Sequence, residues 1–142
     1  MFEFELIPHD DVTLDLERLN TDKPDVVDRV VALIEQLLAD PELVDDLLRD
    51  GYGGSPSKPQ RGAIFNVRAW GQAQKRELNL WRARDFELSR EGHEYRIVYA
   101  VFAEEKLIYL LAVVEREWNY DFSHPISRRI LNSYRNIEEE IR

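Results

Sequence analysis

Apolar and polar residues alternate at the start of the chain, Phe2-Glu3-Phe4-Glu5-Leu6. That two-residue period predicts a half-buried strand. Residues 12–19 suit a short helix. Asp22 before Lys23-Pro24 is then a helix start, because proline is tolerated in the first turn, where no intrahelical donor is needed. From there Val26, Val27, Val30, Val31, Leu33, Ile34, Leu37 and Leu38 recur at helical spacing. They predict an amphipathic helix to Ala39, stopped by Asp40-Pro41. A shorter helix is expected over residues 42–49. Residues 50–62 hold four of the six glycines and read as a loop. Beyond it the period returns to two. Phe65 and Val67 mark a strand ending near Trp70, and residues 77–86 a second. In that second strand Leu78, Leu80, Arg82 and Arg84 share one face, while Asn79, Trp81, Ala83 and Asp85 share the other. A turn is expected at residues 89–93. The β-branched and aromatic run over 95–101 predicts another strand, and residues 106–115 a last, apolar enough to be central. Pro125 opens a final helix with Ile126, Ile130, Leu131, Tyr134 and Ile137 on one face.

This order predicts an α+β fold. An N-terminal strand and helices cover a mostly antiparallel sheet of about four strands, followed by a C-terminal helix. The 142 residues suit a single domain with its own core, and residues 50–75 look like a loop insertion within it. Cysteine is absent, which excludes disulfides, zinc–thiolate sites and thiol catalysis. The N-terminus lacks the basic start and apolar run of a signal peptide, and the longest apolar run, 107–114, has the length of a strand. A cytoplasmic protein with no membrane partner is expected.

The net charge of −9 is unevenly placed: −11 over residues 1–50, +6 over 51–84 and −4 over the remainder. An acidic chain repels phosphate overall, so any nucleic-acid contact must be local, on the basic segment.

Four pieces then occur in order: Leu80-Trp81-Arg82-Ala83-Arg84; Glu94-Tyr95-Arg96-Ile97-Val98-Tyr99; Leu111-Ala112-Val113-Val114-Glu115-Arg116-Glu117; and Tyr120-Asp121-Phe122. This set resembles the RelE/ParE superfamily of bacterial type II toxins. The resemblance is loose over residues 1–49 and closer over 76–131. It implies a toxin held by a cognate antitoxin protein. The RelE-like branch cuts messenger RNA on the ribosome by attack of the RNA's own 2′-oxygen, without a metal or other cofactor. The ParE-like branch inhibits DNA gyrase on the same fold, and a third possibility is a non-catalytic relative that only binds a partner. Fold alone does not choose among these.

The resemblance places Arg82, Arg84, Arg96 and Arg116 as phosphate-contacting residues. Arginine suits that role because its planar fork binds two phosphate oxygens at once. RelE has a tyrosine where this chain has Phe122, and phenylalanine cannot move a proton. Tyr120 could take its place if the chain bulges there, and His124 could titrate near neutral pH. Glu115 and Glu117 flank Arg116, either as a base or as its ion-pair partners. Trp81, Tyr95 and Tyr99 point away from the arginines, as core residues do. Lys58, Arg61, Arg68, Lys75 and Arg76 could extend the basic surface, with Tyr52 and Trp70 as stacking groups. His93 reads as a turn residue, and His9-Asp10-Asp11 is weak as a metal site.

Overall fold

The computed structural model describes residues 3–142. Its strands are β1 (Glu5–Pro8), β2 (Phe65–Ala69), β3 (Leu80–Asp85), β4 (Tyr95–Phe102) and β5 (Leu107–Glu115). They form one mixed sheet in the order β1-β5-β4-β3-β2. β1 runs parallel to β5, and the other neighbours are antiparallel. The α+β expectation holds, with five strands in place of about four. Phe2, expected in the first strand, lies outside the described residues.

Helices α1 (Asp10–Asn20), α2 (Pro24–Ala39) and α3 (Pro41–Asp46) follow β1. Short helices α4 (Gly71–Lys75) and α5 (Phe86–Arg90) flank β3, and α6 (Pro125–Ile141) closes the chain. Most of the helical positions read from the sequence face the sheet: Val26, Val30, Leu33 and Leu37 are buried with Tyr95, Ile97, Tyr99 and Val113 on one side, whereas Leu38 is exposed. On the other side Ile130, Tyr134 and Ile137 of α6 pack against Val98, Ala100, Leu111, Ala112 and Val114. Each buried valine, leucine or isoleucine side chain among these contributes about 1.5–3 kcal/mol on leaving water. Both faces of the sheet are therefore covered, which explains why β4 and β5 lose the apolar–polar alternation of a half-exposed strand.

Several boundaries differ from the sequence expectation. β3 starts at Leu80, because Glu77 takes a positive φ of 63° and turns the chain first. It ends at Asp85, whose carboxylate accepts from Leu88 N–H and starts α5, which takes the last residue of the expected strand and runs into the expected turn as far as Arg90. The third helix stops at Asp46, short of Arg49. β2 is the strand expected at Phe65 and Val67, ending just before Trp70, whereas the short helix α4 that follows it was not expected. The loop before them is tied to β2: Val67 N–H donates to Tyr52 O, and Gly51 N–H donates to Val67 O. Gly53 is required in this loop, since a Cβ there would lie 2.1 Å from Phe65 O.

Between Val98 and Tyr99 the β4–β5 register shifts: Val98 pairs with Ala112 and Tyr99 with Leu110. Leu111 is the extra residue, so Leu111 and Ala112 both face α6. Where β1 ends, Asp15 of α1 takes over the free edge of β5. Asp15 is 1% exposed. It accepts from Val113 N–H at 2.9 Å and from both terminal nitrogens of Arg129 at 2.7 Å. This bridge joins helices from opposite faces of the sheet. Arg29 ties α2 to β3 in the same bidentate way, at 3.0 Å to each oxygen of Asp85. No helix among the described residues is long and apolar enough to cross a membrane.

Candidate functional site

The sheet face that carries α6 also carries the arginines. β2 and β3 place Arg68 directly opposite Arg82. Arg96 lies on the same face of β4, beside Arg82 but displaced along the strand. Strand alternation alone brings these three together, since each occupies the face that Val98 and Val114 share.

Arg82 is only 8% exposed. Its Nη1 donates to the side-chain oxygen of Asn66, and its Nε donates to the Tyr120 hydroxyl at 3.2 Å. Asn66 is itself buried and fixed by donation to Gly54 O. Both partners of Arg82 are neutral, and among the described residues no carboxylate pairs with Arg68, Arg82 or Arg96. Burial pulls the Arg82 guanidinium below its ordinary value; Tyr120 opposes the shift, and nearby Arg96 and Arg68 add to it. Arg96 lies 5.9 Å from the Tyr120 ring centroid, and its Nε is buried without a hydrogen-bond partner among the described residues. A buried cation with no counter-charge is costly. Buried Arg82, with half-buried Arg96 and exposed Arg68 beside it and no carboxylate to offset them among the described residues, forms a site whose electrostatics favour an anion.

Tyr120 reaches this site through an unusual turn. A 3-10 turn over Arg116–Trp118 follows β5, and then Asn119 and Tyr120 both adopt left-handed φ values, 44° and 58°. Two successive non-glycine residues in that region store strain, which persists only when the surroundings hold it. Here the holding contacts are aromatic. Trp118 packs at 4.8 Å from Tyr120 and 4.9 Å from Trp70. Its indole N–H donates to Ser127 at 2.6 Å. Phe122 stacks on Trp70 at 4.8 Å with 20° between the planes, and the Arg76 guanidinium carbon sits 3.8 Å from the Phe122 ring centroid.

Of the six residues expected at the site, Arg82, Arg96 and Tyr120 converge. Arg84 and Arg116 are close by but held by one carboxylate: Glu94 Oε1 accepts from Arg84 at 3.0 Å, and Oε2 lies 3.3 Å from Arg116. The Arg116 side chain is otherwise 71% exposed and follows β5 rather than ending it. Glu115 and Glu117 are not its partners, and Arg96 pairs with neither Glu94 nor Glu115. His124 caps α6, its Nδ1 accepting from Ile126 N–H at 3.1 Å. It lines a different cleft with Arg18, Glu115 and Glu117. His9 caps α1 in the same manner.

Trp81, Tyr95 and Tyr99 belong to the α1–α3 side of the sheet, opposite the arginines. Tyr52 packs on Phe65 at 5.6 Å. Asn66, which fixes Arg82, was not foreseen. Its only signal is a polar residue between Phe65 and Val67 in an otherwise apolar strand.

No protein-family model matches this chain, and neither a curated protein nor a solved structure matches it.

Proposed function

We propose that this chain is a RelE-like toxin of a type II toxin–antitoxin pair, an endoribonuclease that cuts messenger RNA on the ribosome. The observation that carries this reading is the buried, uncompensated Arg82, flanked by Arg68 and Arg96 and bonded to the Tyr120 hydroxyl. RNA supplies both what the site lacks, an anionic phosphate, and a nucleophile, its own 2′-oxygen. Arg82 and Arg96 hold the non-bridging phosphate oxygens and take up the charge that grows as the 2′-oxygen attacks phosphorus. The bond to the 5′-oxygen breaks, leaving a 2′,3′-cyclic phosphate and a 5′-hydroxyl. Tyr120 is the group placed to exchange a proton in this reaction. A cognate antitoxin would silence the enzyme by covering this arginine face.

A second reading is favoured by Glu94. By neutralising Arg84 and Arg116 it withdraws half of the expected arginine set, which suits a non-catalytic relative that binds a protein partner, DNA gyrase among them.

The test is primer extension on messages from a cell-free translation reaction containing the purified protein. New 5′ ends that require ribosomes are expected. Tyr120→Phe, which removes only one hydroxyl, should slow their appearance by about 10²–10⁴-fold, and Arg96→Ala should abolish them. Intact messages and unimpaired translation would discard the nuclease and leave the partner-binding reading.

A further inference from the structure

The column beside the arginines has no role in the chemistry just described. Trp70 is its base, Phe122 its middle layer and Arg76 its top. Trp70 is nearly fully buried, Phe122 half-buried and Arg76 exposed. Arg76 pairs with no carboxylate among the described residues, although the chain carries 28 acidic residues. The column adjoins the arginine site, for Trp70 lies 6.0 Å from the Tyr120 ring. Its inner layers are fixed by packing, because Trp70 also contacts Trp118 edge-on and Tyr120 precedes Phe122 by two residues. A guanidinium lying over an aromatic ring keeps its outer face open to another flat group. Nucleobases stack on arginine planes as readily as on aromatic rings.

We infer that Arg76, supported by Phe122 and Trp70, is a nucleobase platform for an unpaired base next to the phosphate held by Arg82 and Arg96. This rests on the RNA reading above and deepens it: the substrate is single-stranded, since a base inside a duplex has no free face to offer. Stacking is indifferent to the hydrogen-bonding edge of the base, so the platform positions the strand without reading its sequence closely.

The experiment is fluorescence anisotropy with two labelled oligoribonucleotides of equal length, one natural and one abasic throughout. Stacking of one base is worth about 1–3 kcal/mol, so the natural strand should bind about 5–150-fold tighter. Arg76→Lys keeps the charge and loses the plane. It should bring the natural strand down to the abasic affinity and leave abasic binding unchanged. Arg76 is exposed, so the variant's fold is not at risk. Phe122→Leu should act in the same direction. Equal binding of the two strands by the unaltered protein would overturn the platform, and so would an Arg76→Lys variant that keeps the difference. If those failures came with binding that Arg96→Ala still abolishes, the anion site would survive without the platform. Binding of neither strand would overturn both. A platform that behaves as stated in a protein that leaves messages intact would stand, with the nuclease reading discarded.

Discussion

Arg82→Met separates what the buried guanidinium does for the fold from what it does for a ligand. Removing it leaves the Asn66 side-chain oxygen without its donor, a buried unsatisfied acceptor that costs about 1–3 kcal/mol. The Tyr120 hydroxyl is only half-buried and can turn to water. Against these losses stands the relief of burying an unpaired cation, several kcal/mol before relaxation, and of its repulsion by Arg68 and Arg96. Methionine fills most of the vacated volume. The two sides nearly cancel, so the ligand-free variant should melt within about 6 °C of the parent, taking about 3–5 °C per kcal/mol for a chain of this size. Single-stranded RNA at 100 times its dissociation constant stabilises the parent by about 2.7 kcal/mol, a rise of about 8–13 °C. The variant should show none of it. The assay is thermal melting by circular dichroism, with and without RNA, at one fixed ionic strength because phosphate binding is salt-dependent. A ligand-free loss of about 4 kcal/mol in the variant would mean that Arg82 is a cross-tie between β2, β3 and the Tyr120 turn. RNA stabilisation that survives the substitution would remove Arg82 from the anion site. Either result refutes the reasoning.

Asp15→Ala should cost about 3–5 kcal/mol in urea denaturation, because Arg129 loses its buried partner and Val113 N–H its acceptor; Asp15→Asn, which can keep the bond from Val113, should cost less. Tyr99 donates to Leu47 O at 2.7 Å, and burial pushes its hydroxyl well above its ordinary value of 10.0. The sign follows from linkage: the folded state holds this proton longer than the unfolded chain. The stability it contributes is therefore complete below pH 10 and declines as pH rises further. Denaturation midpoints measured above pH 10 should fall, and less steeply in Tyr99→Phe. Glu94→Gln should release Arg84 and Arg116 for RNA. Affinity should then rise, and the plot of log K against log salt should steepen by about 0.7 for each added phosphate contact; an unchanged slope would mean that neither arginine meets RNA.

The sequence by itself determined the α+β class, the order of the strands and of the four longer helical segments, and the division of β3 into an arginine face and a core face. These are local matters: hydrophobic period, proline and glycine placement, and side-chain alternation are properties of neighbouring residues. The 2-period of residues 80–85 put Arg82 on one side and Trp81 on the other, and the structure keeps them there. The turn at Tyr120 was legible only as a condition, that a bulge would bring the hydroxyl into place. Which arginines work together was decided by tertiary structure. Arg82, Arg84, Arg96 and Arg116 look alike along the chain, yet Glu94 binds two of them while Asn66 and Tyr120 hold a third without neutralising it. Those partners are separated from the arginines by 10 to 38 positions in all four contacts. No periodicity encodes such pairings, because they depend on strand register and on the path of the chain between strands. His124 shows the same limit from the other side: its residue type fits proton transfer, and its position as the cap of α6 gives its nitrogen to a backbone N–H instead.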